Sequence, residues 1–168
     1  MNNQLIYTRK WYPDLKVKEE HKELPVRQVT CFVISSDEKL LLVSKDGNSW
    51  SVTAGHYEEK KDPTYLDTAV REVYEESGLD ISMLADKIKR VGYYVIEDVE
   101  KDSDKVLDTY LQIRTFLPLE KNSKDISLKP IEGDLVKQAK FFSLEESMKL
   151  IRWLSESEEW KAIKDIRN

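Results

Sequence analysis

The segment from Asp62 to Gly78 constrains the fold most, because it is predicted to be a helix with well-marked ends. Asp62 suits the N-cap, Pro63 suits the first helical position, and Gly78 suits a left-handed C-terminal cap. After Gly55 the spacing of apolar residues changes from about two, typical of strands, toward about 3.6, typical of a helix. The chain therefore has one clearly delimited helix at its centre.

Strand-like segments rich in β-branched and aromatic residues lie on both sides of this helix. They cover residues 26–36, 39–45, a short stretch through Trp50 and Val52, and then residues 90–99, 106–119 and 136–142. A charged turn at Asp102–Asp104 separates the fourth segment from the fifth. The sequence therefore predicts several strands before and after the central helix.

The last third of the chain combines a long loop with two predicted helices. Residues 120–134 are polar, and unsupported loops of that length often carry function. Ser143 and Glu146 form a capping box that opens a helix through Leu150 and Trp153. Residues 158–166 are predicted to form a final helix.

A chain of 168 residues suits one compact domain. Residues 1–25 combine Trp11, Tyr12 and Pro13 with the charged run Lys16–Glu23, and they are interpreted as an N-terminal extension that packs on the domain or on a partner. Residues 26–168 are predicted to be the single domain.

The charge and the termini exclude several classes of protein. A formal net charge of −5 argues against nucleic acid as a partner, since such affinity comes from clustered Lys and Arg. Cys31 is the only cysteine, so no intrachain disulfide is possible, and its apolar neighbours indicate a buried strand thiol. Residues 1–10 contain no long apolar stretch, which predicts neither a signal peptide nor a membrane anchor. A cytoplasmic protein is expected.

Three glutamates of the central helix share one face. On a helical projection Glu76 lies about 40° and Glu75 about 60° from Glu72, beside the apolar stripe. The ordinary interpretation is a solvated face. Against it, Glu72 and Glu76 repel each other at i, i+4, and the helix dipole disfavours acids in the last turn. Converging carboxylates of this kind form sites for hard cations such as Mg²⁺.

The residues from Gly55 to Leu79 read GHYEEKKDPTYLDTAVREVYEESGL. This segment resembles the Nudix box of diphosphate hydrolases, G-x5-E-x7-R-E-U-x-E-E-x-G-U, where U is aliphatic. Its second half matches at every specified position, namely Arg71, Glu72, Val73, Glu75, Glu76, Gly78 and Leu79. The resemblance is strong in the box and weaker over residues 26–154, where Trp50–Val52 and Phe142–Glu146 are similar to the usual flanks.

The first half of the box departs from the pattern. It is two residues longer, Lys61 stands where the first glutamate is expected, and Ala54 replaces the glycine that often precedes the box. In the family that first glutamate braces the loop and the arginine. Glu58 or Glu59 is predicted to replace it.

The resemblance implies an α/β/α sandwich around a mixed central sheet, and a hydrolase that cleaves the diphosphate linkage of a nucleoside diphosphate joined to another group. It implies that Glu72, Glu75 and Glu76, with the carbonyl of Gly55, hold Mg²⁺, with Mn²⁺ as the alternative. Arg71 would orient the carboxylates.

The general base and the substrate contacts are less strongly indicated. Family members take the base from the box or from a distant loop, so Glu75 is the first candidate, Glu132 the second, and Glu97 a further one. Glu58 and His56 are candidate contacts to the substrate. Tyr94, on the strand after the box, is a candidate for stacking on a base.

Two other functions fit the same fold. The longer loop suggests a catalytically weak or inactive ligand-binding or regulatory domain. An isomerase similar to those acting on isoprenyl diphosphates would need a catalytic cysteine, for which Cys31 is poorly placed. Relatives often dimerise, so a homodimer is also considered.

Overall fold

The computed structural model describes residues 5–101 and 103–167. Predictions that concern residues 1–4, Asp102 and Asn168 lie outside this range. The strands and helices, in chain order, are β1 (Leu5–Tyr12), β2 (Val26–Ile34), β3 (Lys39–Ser44), β4 (Trp50–Ser51), β5 (Thr53–His56), α1 (Tyr65–Ser77), β6 (Lys89–Glu100), β7 (Lys105–Pro118), β8 (Gln138–Ser143), α2 (Leu144–Leu150) and α3 (Glu158–Arg167).

The strands form one mixed sheet. Its order is β1-β6-β7-β2-β3-β4, with β5 added on β2 and β8 added on β3. The strands β2 and β7 run parallel from Val26 opposite Leu111 to Ile34 opposite Pro118. The other paired strands are antiparallel. Strand β5 pairs with β2 from Cys31 opposite Thr53 to Gln28 opposite His56, and the loop of residues 57–64 then connects it to α1.

Helices cover both faces of this sheet. Side chains of β2 alternate between two cores, so Val29 and Cys31 pack with Ala69 and Val73 of α1 on one face. Phe32 and Ile34 face the other core, which contains side chains of α2 and α3. The predicted α/β/α sandwich with a mixed central sheet is confirmed.

The predicted N-terminal extension contains an additional strand. Strand β1 pairs antiparallel with β6 from Leu5 opposite Glu100 to Tyr12 opposite Tyr93, and the Tyr12 and Tyr93 rings stack with centroids 5.2 Å apart. The local sequence does not predict this strand, because its side chains up to Lys10 are exposed and the pairing with β6 defines it. Of the two expected roles, the described residues 5–25 pack on the domain. The division of the chain at residue 25 stays a prediction.

The central helix begins two residues later than predicted, at Tyr65. Thr64 is the N-cap: its hydroxyl accepts from the Asp67 amide, and the Asp67 carboxylate accepts from the Thr64 amide at 2.8 Å. The prediction that Asp62 caps the helix is wrong, because the Asp62 carboxylate binds Arg71 instead. The predicted C-cap is confirmed, since Gly78 has φ of 72° and donates its amide to the carbonyl of Tyr74.

The long loop before β8 is anchored on the end of α1. The amide of Lys129 donates to the carbonyl of Ser77 at 2.8 Å, and the amide of Ile131 donates to that of Glu75 at 3.0 Å. These bonds satisfy carbonyls that the helix end leaves free. The approach needs glycine at position 78, because a Cβ there would lie 2.1 Å from the Lys129 carbonyl oxygen.

We expect Gly78→Ala to lower the free energy of unfolding by about 3 kcal/mol, because alanine is strained at positive φ and its Cβ would push the loop off the helix. Urea denaturation measures the change. Gly133→Ala is the matched control, since Gly133 also has positive φ but a Cβ added there would meet no atom within 4 Å. Equal losses in the two variants would contradict a role for the contact with Lys129.

Candidate functional site

Two glutamates of α1 converge on the backbone of β5. The carboxylate of Glu76 accepts from the Ala54 amide at 3.0 Å. The carboxylate of Glu72 lies directly over Gly55, where an added Cβ would be 1.8 Å from the Glu72 Cδ. Only glycine therefore fits at position 55, because the Glu72 carboxylate occupies the space that a side chain would need.

The guanidinium of Arg71 is surrounded by acceptors from three segments. Its Nε and Nη2 donate to the two carboxylate oxygens of Asp62 at 3.0 and 2.8 Å, and Nη1 donates to Glu72 at 2.6 Å and to Glu75 at 3.1 Å. Nη2 also donates to the carbonyl of His56 at 2.9 Å. Every guanidinium nitrogen is engaged, so Arg71 holds protein groups in position and has no free donor for a substrate.

Asp62 takes the place of the missing first glutamate. Counting forward from Gly55 the family pattern puts that acid at Lys61, and counting back from Arg71 it puts the acid at Pro63. Asp62 lies between the two. The sequence does place an acid next to the expected position of the first glutamate. The helix-capping pattern, however, predicts that this acid is the N-cap.

The prediction that Glu58 or Glu59 replaces the first glutamate is wrong. Glu58 pairs with Lys61 at 2.9 Å, and Glu59 is exposed. Asp62 is only 2% exposed, and its carboxylate also accepts from the Thr68 hydroxyl at 2.9 Å. The longer loop therefore projects its acids outward and returns to the helix through Asp62.

Burial raises the pKa of Glu76 to about 8. The Ala54 amide opposes this rise, the charges of Glu72 and Asp134 add to it, and the charge of Lys45 lowers it. The pKa of Glu72 is also raised, mainly by burial and against the opposing effect of Arg71. Burial thus favours the neutral form of both carboxyls in the metal-free protein, and it keeps Glu76 protonated at neutral pH.

Asp134 is a site residue that the sequence motif does not reveal. Its charge raises the pKa of both Glu72 and Glu76. It lies in the long loop, whose path is set by the bond from the Ile131 amide to α1. Glu132 of the same loop is exposed.

The donor set suits a hard divalent cation. Carboxylates and a carbonyl are the ligands that Mg²⁺ and similar ions take, and burial raises the pKa of two of these carboxyls, whose ionised forms a bound cation would favour. Within residues 5–101 and 103–167, no three His, Cys, Asp or Glu side chains are already arranged to hold a metal ion. Arg71 binds Glu72 and Glu75, and the Ala54 amide binds Glu76.

The other residues predicted to contact the substrate, His56 and Tyr94, lie on opposite sides of the sheet. His56 is exposed beside the cluster and supplies its carbonyl to Arg71. Tyr94 lies elsewhere: it is 4% exposed, its hydroxyl donates to Glu159 of α3, and its ring packs on Trp11 with centroids 4.8 Å apart. The structure therefore contradicts a stacking role for Tyr94 at the glutamates, because its side chain points to the opposite face. Glu97 accepts from Thr8 of β1.

Comparison with known proteins agrees with the fold. The sequence model of the NUDIX domain matches residues 24–163, so the chain belongs to the Nudix family. A search of curated proteins finds no match.

Solved structures provide a second comparison. The NUDIX domain of Shewanella oneidensis NrtR, solved in complex with ADP ribose, is 11% identical in sequence to this chain. The structural match covers 90% of this chain and 94% of that chain, with a TM-score of 0.59. A NUDIX family hydrolase from Clostridium perfringens is 15% identical over 83% of this chain and 96% of its own, with a TM-score of 0.48.

Among the helices in the described part of the chain, none is long and apolar enough to cross a membrane.

We expect Asp62→Asn to lower the free energy of unfolding by about 3 kcal/mol, because it leaves the guanidinium of Arg71 partly buried without its bidentate partner. Urea denaturation at neutral pH measures the loss. Glu58→Gln removes an acid from the same loop but only an exposed ion pair, and it should cost less than about 0.5 kcal/mol. Equal stabilities for the two variants would show that Asp62 does not brace Arg71.

We expect the metal-free protein to lose stability as the pH rises. Between pH 4.5 and about 8 the folded chain keeps a proton on Glu76 that the unfolded chain has released, so the free energy of unfolding falls over this interval. Glu76→Gln should remove about 2 kcal/mol of that fall. Urea denaturation in the presence of a chelator measures the slope, with Glu132→Gln as the exposed control. A wild-type slope in Glu76→Gln would contradict the buried carboxylate.

Proposed function

We propose that this protein is a metal-dependent hydrolase that cleaves the diphosphate linkage of a nucleoside diphosphate joined to another group. The observation that carries the proposal is the convergence of Glu72 and Glu76 on Ala54 and Gly55, beside Arg71. Burial makes this arrangement costly without a cation, and the chain belongs to a family that includes hydrolases. We include a cytoplasmic location in the same proposal.

Glu72, Glu75, Glu76 and the carbonyl of Gly55 are the groups that would hold Mg²⁺ or Mn²⁺. When bound, such a cation neutralises diphosphate charge and activates water. The chain supplies the orientation: Arg71 fixes Glu72 and Glu75, and Asp62 fixes Arg71. This division explains why an arginine with no free donor belongs in the site, since its fork can hold several carboxylates at once.

Glu75 is the preferred general base. It is more exposed than its neighbour in the cluster, with a side chain 39% exposed against 13% for Glu72, so it can reach a water molecule. One bond from Arg71, at 3.1 Å, holds it in place. Glu132 is the second candidate, on the exposed loop beyond the helix.

The candidate contacts Glu58 and His56 lie on the loop side of the site. Both residues lie at the edge of the cluster, where the longer loop leaves the sheet, and neither is buried. We propose that they meet the substrate there. The structure of the NrtR domain contains ADP ribose, and we include this compound among the substrates to be tested.

We expect Glu76→Gln to fold and to lose at least about a hundredfold in Mg²⁺-dependent turnover, since removing even a residue that supports a metal ligand costs about 10- to 100-fold. Phosphate release from nucleotide sugars, dinucleoside polyphosphates, ADP-ribose and nucleoside triphosphates measures turnover. Glu59→Gln, in the exposed loop, is the control and should keep wild-type rates. Wild-type activity in Glu76→Gln would contradict the proposed site.

A ligand-binding domain without turnover is the second candidate. It is favoured by one observation: the loop before α1 is two residues longer than the family pattern, and the shorter Asp62 stands in for the first glutamate. Binding of several compounds without turnover at any metal or pH would support this candidate and contradict the hydrolase.

An isomerase that uses a cysteine fits the structure poorly. Cys31 is 2% exposed in the core beneath α1, and burial raises the pKa of its thiol to about 12. A thiol in these surroundings is inert.

A further inference from the structure

A small pocket opens directly beside Glu76. Its volume is about 260 Å³, and it lies between the turn that joins β3 to β4 and the C-terminal half of α1. Val43 and Val136 give it an apolar floor, and Lys45, Ser51 and Glu76 are among the polar residues around it. One wall of this pocket therefore belongs to the glutamate cluster.

The alternation of the strands explains which side chains point into the pocket. Leu41 of β3 lies in the core under α1, so Val43 and Lys45 continue on the same face of the sheet. Ser51 pairs with Val43 in the β3–β4 register and shares that face. Trp50 points to the other face and packs in the opposite core. Lys45 and Ser51 thus share the face of the hairpin that points toward α1, and Ser44, Asp46 and Ser49 also line the pocket.

Lys45 is the cation beside the glutamates that remains available to a ligand. The guanidinium of Arg71 is fully engaged, whereas the described residues provide no ion pair for Lys45. The neighbouring Asp46 does not neutralise it, because the Asp46 carboxylate accepts from the amides of Asn48 and Ser49 at 2.8 and 2.7 Å within its own turn. A free ammonium next to a proposed cation site suits a phosphate group that bridges the two.

We propose that Lys45 and Ser51 bind one phosphate of the substrate, so that the diphosphate lies across Glu76 with one end in this pocket. This inference rests on the proposed function and adds a substrate class. At about 260 Å³ the pocket lies at the small end of ligand pockets, which commonly measure about 300–1,000 Å³, and we infer that it holds a phosphate with a small group such as a sugar.

The first test measures binding without chemistry. The probe is methylenediphosphonate, a diphosphate analogue that cannot be hydrolysed, titrated calorimetrically with Mg²⁺ into the full chain. Lys45→Gln should weaken binding about tenfold, because a charge-assisted hydrogen bond is lost. Lys45→Arg should bind within about threefold of wild type, since its charge is kept. Lys149→Gln, which removes an exposed lysine of α2, should bind like wild type.

The binding result is independent of turnover, so it stands even if the chain hydrolyses none of the compounds tested. Wild-type affinity in Lys45→Gln would overturn the proposal, as would equal weakening in Lys149→Gln. For any compound that is hydrolysed, Lys45→Gln should raise KM about tenfold with kcat changed less than about threefold. A fall in kcat with KM unchanged would contradict binding by Lys45.

The size of the substrate supplies the second test. Nucleoside diphosphate sugars should bind to Glu76→Gln at least about tenfold more tightly than dinucleoside polyphosphates, because a sugar leaves less of its surface outside the pocket than a second nucleoside does. Ser51→Trp, which narrows the pocket from an exposed position, should weaken the nucleotide sugars and leave the stability of the fold unchanged. Equal affinities for both classes of compound would contradict the assignment.

Discussion

The site depends on the ionic contacts of Arg71. A single guanidinium connects Asp62 at the end of the loop, Glu72 and Glu75 on its own helix, and the carbonyl of His56 on β5. Its planar fork serves these acceptors at the same time, which the point charge of a lysine cannot do. The bonds offset part of the repulsion among acids placed one helical turn apart. They also connect loop, strand and helix, so the positions of the acids and the path of the backbone are set together.

The site also requires other groups to approach the backbone closely, and this is possible at two glycines. At Gly55 the carboxylate of Glu72 occupies the space of a side chain, and at Gly78 the carbonyl of Lys129 does the same. The first contact seats α1 on β5. The second seats the long loop on the end of α1 and thereby brings Asp134 toward the glutamates. The spacing of these glycines in the box is therefore a consequence of packing as well as of chemistry.

The concentration of acids in this site opposes stability. Burial raises the pKa of Glu76 and of Glu72, so the metal-free protein carries groups that would be more stable in water. A bound cation would offset this cost by stabilising the ionised forms of the carboxyls. Side chains with shifted pKa values are common at functional sites, because these side chains are arranged for a ligand and not for the stability of the unliganded fold. The free ammonium of Lys45 next to the cluster fits the same interpretation.

Local patterns in the sequence were sufficient to identify the central helix, most of the strands and the shared face of the three glutamates, and the resemblance of the box implied the sandwich. Helix periodicity, a glycine cap and the second half of the box all act over a few residues, so they can be read along the chain. Tertiary contacts decided the rest. Strand β1 exists because β6 pairs with it. Asp62 is not the helix cap, because its carboxylate binds Arg71, nine residues away, and Thr64 caps α1 instead. Tyr94 lies on the face opposite the glutamates, and Asp134 reaches them through a loop anchored on α1. Each of these outcomes depends on partners distant in sequence, and local propensity carries no information about them.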